Sequence, residues 1–140
     1  MEESQKWTDG QLQSYKVYGS ADMDKAPSES AEMATFFNKL PAHIKSVAIH
    51  VRNEGVRDYR LVSKMRLEGG FIKGCPDIIV PGCPTLLIEM KSKAKASRLS
   101  KEQVSYMDSA KLLGAMCCVC YGYEAALQAI QDWEARQWAG

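Results

Sequence analysis

Apolar side chains mark a helix near the start of the folded region. Those between Met33 and Leu40 recur at the three- and four-residue spacing of one helix face. Either Ser28 or Ser30 can cap the start of this helix, and Pro41 can end it because proline does not continue a helix. The pattern therefore predicts an amphipathic helix that buries one face.

Four segments have the spacing or the density of apolar residues that is typical of β-strands. Two short apolar runs, at 77–80 and 85–91, flank the turn-forming stretch 81–84, which predicts a β-hairpin. The run 116–121 is apolar throughout and predicts a buried strand. Segment 47–51 alternates in polarity and predicts a further strand, in which we interpret His50 as a strand residue rather than a site residue.

Three more helices are expected. A basic helix is predicted over 57–67, before two glycines. A second begins at Ser100 and ends at Gly114, a residue type common just after helices. The last covers about 123–137 and presents an apolar stripe along one face.

Chain length and element order together define the expected architecture. A chain of 140 residues has room for one domain of ordinary size. The order helix, strand, helix, two strands, helix, strand, helix predicts an α/β fold, with a mixed sheet flanked by helices. We assign residues 28–140 to this domain and residues 1–27 to a peripheral N-terminal segment.

Composition narrows the class of protein. Hydrophobic residues make up 46% and charged residues 25%, which excludes a wholly disordered or fibrous chain. No apolar run approaches the roughly 20 residues of a membrane span. The first ten residues contain no basic apolar leader, so we expect a cytoplasmic protein without a membrane partner.

The cysteines do not form a recognisable metal or disulfide pattern. There are five of them, no Cys-x-x-Cys motif and only two histidines, which argues against a zinc site. Cys117, Cys118 and Cys120 lie inside an apolar stretch. We expect them to be reduced and buried as small apolar side chains.

The net charge of +1 conceals an uneven distribution. Residues 45–101 carry 12 Lys and Arg against 5 Asp and Glu, whereas residues 1–44 carry 4 against 7 and residues 102–140 carry 2 against 5. A basic middle between two acidic flanks favours a polyanionic partner such as nucleic acid, although a solvated surface would give the same count.

Three residues of the predicted hairpin form a candidate site. Glu89 and Lys91 are two apart on a strand, so they project to the same face, and the hairpin can bring Asp77 next to Glu89. Two adjacent carboxylates repel each other unless a cation such as Mg²⁺ separates them. A bound metal with a neighbouring lysine is sufficient for phosphodiester hydrolysis. The alternative is that Asp77 is a turn residue and Glu89 a solvated strand end.

These residues belong to motifs that resemble a known family. The chain contains Gly74-x-Pro76-Asp77, Ile88-Glu89-Met90-Lys91 and Leu99-Ser100-x-x-Gln103. They are similar to the motifs of the PD-(D/E)XK nuclease superfamily and, within it, of the virus-type replication-repair nuclease (VRR-NUC) branch. The likeness covers residues 29–130 and implies a restriction-endonuclease-like αβββαβ core.

The resemblance implies a fuller metal site. A glutamate of the first helix joins it, for which Glu32 is the preferred residue and Glu29 the alternative. The Met90 carbonyl is implied as a further ligand of one or two Mg²⁺ or Mn²⁺ ions, together with Asp77 and Glu89. Lys91 would orient or activate the attacking water.

Gln103 is expected to support the site, although the spacing Ser100-x-x-Gln103 also fits a capping box that starts a helix. The segment from His50 to Arg57 resembles the family's Asn-Gly-x-Arg segment, with Glu54 inserted before Gly55. The residues expected to contact DNA are basic and lie in this segment or after the hairpin: Arg52, Arg57, Lys93, Lys95, Arg98 and Lys101.

The implied activity is metal-dependent, structure-specific cleavage of branched DNA such as Holliday junctions by a homodimer, in a bacterial or phage-infected cell. Two alternatives stay open. One is a flap or restriction-type nuclease of the same superfamily, and the other is a nucleic-acid-binding module without catalysis.

Overall fold

The protein folds into a five-stranded sheet flanked by helices, seen in a computed structural model that describes residues 15–52, 59–70 and 72–137. The strands are β1 (Lys16–Tyr18), β2 (Ile49–His50), β3 (Ile78–Val80), β4 (Leu86–Lys91) and β5 (Met116–Tyr121). The helices are α1 (Glu29–Lys39), α2 (Ala42–Lys45), α3 (Tyr59–Glu68), α4 (Lys101–Leu112) and α5 (Tyr123–Ala135). Of the helices in these ranges, none has both the length and the hydrophobicity that crossing a bilayer requires.

The strands are arranged in the order β1-β5-β4-β3-β2. β3 runs antiparallel to both β2 and β4, whereas β5 runs parallel to β4 and to β1. The parallel step from β4 to β5 requires a crossover, which α4 provides. The predicted hairpin is thereby confirmed as β3–β4, and so is the α/β class with a mixed, helix-flanked sheet.

The sheet has an apolar core on each face. On one face, Ile88 and Met90 pack in a cluster with Phe36 of α1 and residues of α5. On the other face, Leu87 packs in a second cluster with Met107 of α4. Every residue of β4 is therefore buried, as expected for a central strand covered by helices on both sides.

Helix boundaries follow local signals in the sequence. Ser28 caps α1, because its hydroxyl accepts a hydrogen bond from the N–H of Ala31. Ser100 caps α4, and Gly114 follows that helix with a positive φ of 100°. The predicted caps of α1 and α4 are thus confirmed, whereas the predicted strand at 47–51 is reduced to Ile49–His50.

The region predicted to be peripheral contributes an edge strand. Residues Lys16–Tyr18 pair in parallel with Cys118–Cys120 of β5, and Tyr15 before them is buried. β1 is only three residues long and its pairing partner lies about a hundred residues later, so no local pattern indicates it.

The cysteines behave as predicted from their apolar surroundings. Cys117, Cys118 and Cys120 all lie in β5 and are buried as free thiols. Burial raises the pKa of Cys117 to about 11, so its thiol stays protonated and unreactive at neutral pH.

Candidate metal centre

Two carboxylates lie side by side where β3 begins and β4 approaches its end. Ile78 pairs with Ile88 in the antiparallel ladder, so Asp77 lies directly opposite Glu89. The two side chains share a hydrogen bond, and Oδ2 of Asp77 also accepts one from the N–H of Met90 at 3.0 Å. Glu89 is only 2% exposed. The structure therefore brings the two acids of the predicted motif together.

A third carboxylate comes from the start of α1. Glu29 offers an oxygen that lies within 4.8 Å of oxygens of both Asp77 and Glu89. Among the residues the structure describes, these three form the one group of acidic, histidine and cysteine side chains with a geometry that could hold a metal ion. Carboxylate oxygens are the ligands that Mg²⁺ and Mn²⁺ prefer.

The electrostatics of Glu89 fit a cation site. The pKa of Glu89 is raised to about 10, mainly by burial and in addition by the hydrogen bond with Asp77 and the charges of Asp77 and Glu29. The positive charge of Lys91 opposes this rise. Glu89 therefore keeps its proton at neutral pH, because this buried position next to two other acids disfavours a further negative charge. A divalent cation would remove that penalty.

Lys91 completes the arrangement. It is the last residue of β4 and lies on the same face of the strand as Glu89, because the two are separated by one residue. It is 8% exposed, so the residue as a whole is largely withdrawn from bulk water. Low solvent exposure strengthens the interaction of its positive charge with any anion at the carboxylates.

Glu32, preferred from sequence as the helix ligand, lies apart from this group. It is 3% exposed and packs where α1 meets the start of α5. Its Oε2 accepts no hydrogen bond from the described residues and lies 4.0 Å from Nζ of Lys93. A Cβ added to Gly122 would lie 2.6 Å from the same oxygen. The alternative residue, Glu29, is the one that joins Asp77 and Glu89.

Gly74 explains the start of the Gly-x-Pro-Asp motif. Its φ is +88°, and a Cβ there would lie 2.4 Å from the backbone of Glu102 in the first turn of α4. Only glycine fits both conditions, since it has no side chain and adopts positive φ readily. This contact fixes the segment that leads to Asp77 against α4.

We expect Gly74→Ala to lower the free energy of unfolding by about 3 kcal/mol or more, because it combines backbone strain with overlap against the backbone of α4. Chemical denaturation measures the loss. Gly70→Ala is the matched control: Gly70 has a φ of +77° but nothing within 4 Å of an added Cβ, so it should cost only about 1 kcal/mol. Equal losses in the two variants would contradict the packing argument.

Gln103 has a defined structural role at the start of α4. Its side-chain oxygen accepts a hydrogen bond from the N–H of Ser100 at 2.8 Å, and its own N–H donates to the Ser100 hydroxyl. This is the complete capping box. A supporting role for Gln103 in the metal site stays a prediction.

Two of the predicted DNA contacts are paired with acids. Nζ of Lys93 lies 4.0 Å from Glu32 and 3.7 Å from Glu124, and Nζ of Lys95 lies 2.9 Å from Asp24. The side chain of Lys93 is only 26% exposed, whereas that of Lys95 is 64% exposed. Lys95 is therefore the more available of the two for a phosphate.

Three other predicted DNA contacts lie in the described part of the chain and are exposed, but their surroundings differ. Nη1 of Arg98 donates hydrogen bonds to the carbonyls of Lys95 and Ser97, which orders this loop. Lys101 is exposed in the first turn of α4. Arg52 is exposed beside the acidic group. Arg57 and the rest of residues 53–58 lie outside the described part of the chain, so the Asn-Gly-x-Arg resemblance stays a prediction.

A cleft of about 400 Å³ opens beside the acidic group. Its walls come from α1 and from His50, Arg52 and Asp77. The ring of His50 stacks on that of Phe37 with centroids 5.8 Å apart and planes inclined by 30°. No sequence pattern indicates this cleft, because it depends on how β2 pairs with β3 beside α1.

Comparisons of the chain with protein-family models, with curated proteins and with solved structures found no significant match.

Proposed function

We propose that the protein is a metal-dependent, structure-specific DNA endonuclease that hydrolyses phosphodiester bonds. The observation that carries this proposal is the convergence of Glu29, Asp77 and Glu89 within 4.8 Å, with the buried Lys91 beside them. The motifs that resemble the VRR-NUC branch include three of these four residues. The excess of basic residues in the middle of the chain supports a polyanionic substrate.

The three carboxylates would hold one or two Mg²⁺ or Mn²⁺ ions, with the Met90 carbonyl as a further proposed ligand. When bound, such an ion stabilises negative charge on a phosphate and lowers the pKa of water at the site. The opposed strands fix Asp77 and Glu89 relative to each other through the ladder, whereas Glu29 approaches from the helix layer.

Lys91 has the position for two tasks. Its ammonium group is a hydrogen-bond donor only, so it can orient the attacking water by donating a hydrogen bond to the water oxygen. It can also attract the non-bridging oxygens of the phosphate. Because Lys91 belongs to a central strand, its backbone is fixed relative to that of Glu89. Arg52, at the rim of the neighbouring cleft, would hold an adjacent phosphate.

Branched DNA is the proposed substrate, and a homodimer the proposed assembly. A two-fold dimer places one site on each of two symmetric strands of a junction. Exposed apolar side chains could contribute to such a dimer interface. Leu112 and Leu113, at the end of α4, are 89% and 91% exposed. Leu113 also borders an open groove lined by Ile79 and Leu87 of the sheet.

The deciding experiment is a cleavage panel of duplex, single-stranded, flap and four-way DNA with Mg²⁺, Mn²⁺ or EDTA, with the oligomeric state measured by sedimentation. We expect metal-dependent cutting of branched substrates by a dimer. Binding without cutting under all conditions would favour the non-catalytic module. Cutting of flaps or of one duplex sequence alone would favour the other nuclease types.

Neutralising exposed basic residues should weaken DNA binding in a salt-dependent way. We expect the double variant Arg52→Gln, Lys95→Gln to reduce the slope of log affinity against log salt by about one per lost phosphate contact. Fluorescence anisotropy in EDTA at several salt concentrations measures the slope. Lys45→Gln, on α2, changes an exposed charge outside the cleft and should leave the slope nearly unchanged. An unaltered slope in the double variant would remove these residues from the interface.

A further inference from the structure

The cleft beside the acidic group has two chemically different parts. Its apolar part is formed by α1, through Met33, Ala34 and Phe37, and by the ring of His50. Its polar part contains Arg52 and two of the three clustered carboxylates, Glu29 and Asp77. An occupant that fits both parts would therefore be flat and apolar at one end and, where a cation neutralises the carboxylates, anionic at the other.

The aromatic pair gives the apolar part its shape. Phe37 stacks on His50 and meets Phe36 edge-on, with centroids 5.3 Å apart and planes at 84°. Phe36 is fully buried, so it holds the ring of Phe37 in place from the core side. Phe37 and His50 are only partly buried and line the cleft, which gives it an aromatic wall.

The size of the cleft limits what it can accept. Its volume of about 400 Å³ lies within the range of about 300–1,000 Å³ that is typical of small-ligand sites. One nucleobase with its sugar fits such a space, whereas a base pair inside a stacked duplex does not. Aromatic rings and guanidinium groups are the partners on which unpaired bases stack in nucleic-acid-binding proteins.

We propose that this cleft binds one unpaired nucleobase of the strand whose phosphate lies at the acidic group. The proposal rests on the nuclease function above and refines its substrate. Phe37 and His50 contact the base, Arg52 holds a neighbouring phosphate, and the acidic group receives the scissile one. A base inside a duplex must leave its stack to enter, at a cost of a few kcal/mol. Substrates with an unpaired nucleotide beside the cut are therefore favoured.

The proposal is tested by binding in the absence of cleavage. Two forked DNAs are compared in EDTA and in Ca²⁺, one with 2-aminopurine as the unpaired nucleotide at the fork and one with an abasic residue there. We expect the wild type to bind the 2-aminopurine fork at least about fivefold more tightly than the abasic fork. Stacking should also quench the 2-aminopurine fluorescence.

Variants at the aromatic wall identify the residues responsible. Phe37→Leu keeps an apolar side chain against the core but removes the ring, so it should lose both the base preference and the quenching. His50→Ala should weaken both. Tyr123→Leu is the matched control, because Tyr123 is a partly buried aromatic residue of α5 that packs against the same core and does not line the cleft. It should behave as the wild type does.

Equal binding of the two forks by the wild type, or full base preference in Phe37→Leu, would overturn the proposal. Cleavage of the same forks and of four-way DNA with Mn²⁺ is measured separately. A base preference without cleavage of either substrate would support the cleft while contradicting the nuclease function. Cleavage without base preference would contradict the cleft and leave the nuclease function standing.

Discussion

Asp77→Asn is expected to lower metal-dependent DNA cleavage by about a thousandfold or more while leaving DNA binding within about threefold of the wild type. Asparagine keeps an oxygen that can accept the hydrogen bond from the N–H of Met90, so the strand geometry is retained. It removes a negative charge from the group that would hold the cation. The loss should therefore appear in turnover and not in affinity.

Lys91→Met is expected to have a loss of similar size, because methionine fills the buried volume without supplying a positive charge. Single-turnover cleavage of a four-way junction in Mn²⁺ measures both variants, and anisotropy in EDTA measures their binding. Asp108→Asn, an exposed acid on α4, is the charge-matched control and should cut normally. Normal turnover in both Asp77→Asn and Lys91→Met would refute the assignment of the site.

Glu89→Gln is expected to stabilise the metal-free protein while it abolishes stabilisation by metal. In the unfolded chain Glu89 ionises near its ordinary pKa of 4.5, whereas in the folded, metal-free protein burial raises this pKa to about 10. The folded state therefore binds more protons between these two pH values. The free energy of unfolding consequently falls as the pH rises through this window.

Glutamine resembles the protonated carboxyl group and has no proton to lose, so this dependence should disappear. We expect Glu89→Gln to be more stable than the wild type by up to about 3 kcal/mol at pH 7 in EDTA. Addition of Mn²⁺ at a hundredfold excess over its dissociation constant should stabilise the wild type by about 2.7 kcal/mol and the variant far less. Activity should be lost in the variant.

Urea denaturation at pH 5 and pH 8, with EDTA or Mn²⁺, measures these effects. Glu68→Gln serves as the control, since Glu68 is an exposed residue of α3 that pairs with Lys64. The free energy of unfolding of the Glu68→Gln variant should differ from that of the wild type by less than about 0.5 kcal/mol and should show no new metal dependence. If Glu89→Gln were less stable than the wild type in EDTA at pH 8, the buried carboxyl group would not be a destabilising element.

The pairing of Asp77 with Glu89 could be predicted because it depends on local signals. The turn between two apolar runs indicates a hairpin, and alternation along a strand places Glu89 and Lys91 on one face. The caps of α1 and α4 could be predicted for the same reason, since the serines that form them lie beside the helices that they start.

The choice between Glu29 and Glu32 could not be made from the sequence. Both are acids in the first turn of α1, three residues apart, and a helix N-terminus favours either. Only the packing of α1 against α5 separates them, because it buries Glu32 at Gly122 and leaves Glu29 near Asp77. The contact of Phe37 with His50 likewise depends on tertiary packing and has no local signature.

The contacts of Gly122 determine whether the acidic group could be transferred to another protein without the rest of the fold. The N–H of Gly122 donates to the carbonyl of Lys91, and a Cβ at this position would lie 2.3 Å from Lys93 and 2.6 Å from Glu32. One small residue thus joins the end of β4 to the helix that supplies Glu29. Grafting the three carboxylates and the lysine onto another protein would fail unless a glycine in the position of Gly122 were grafted with them.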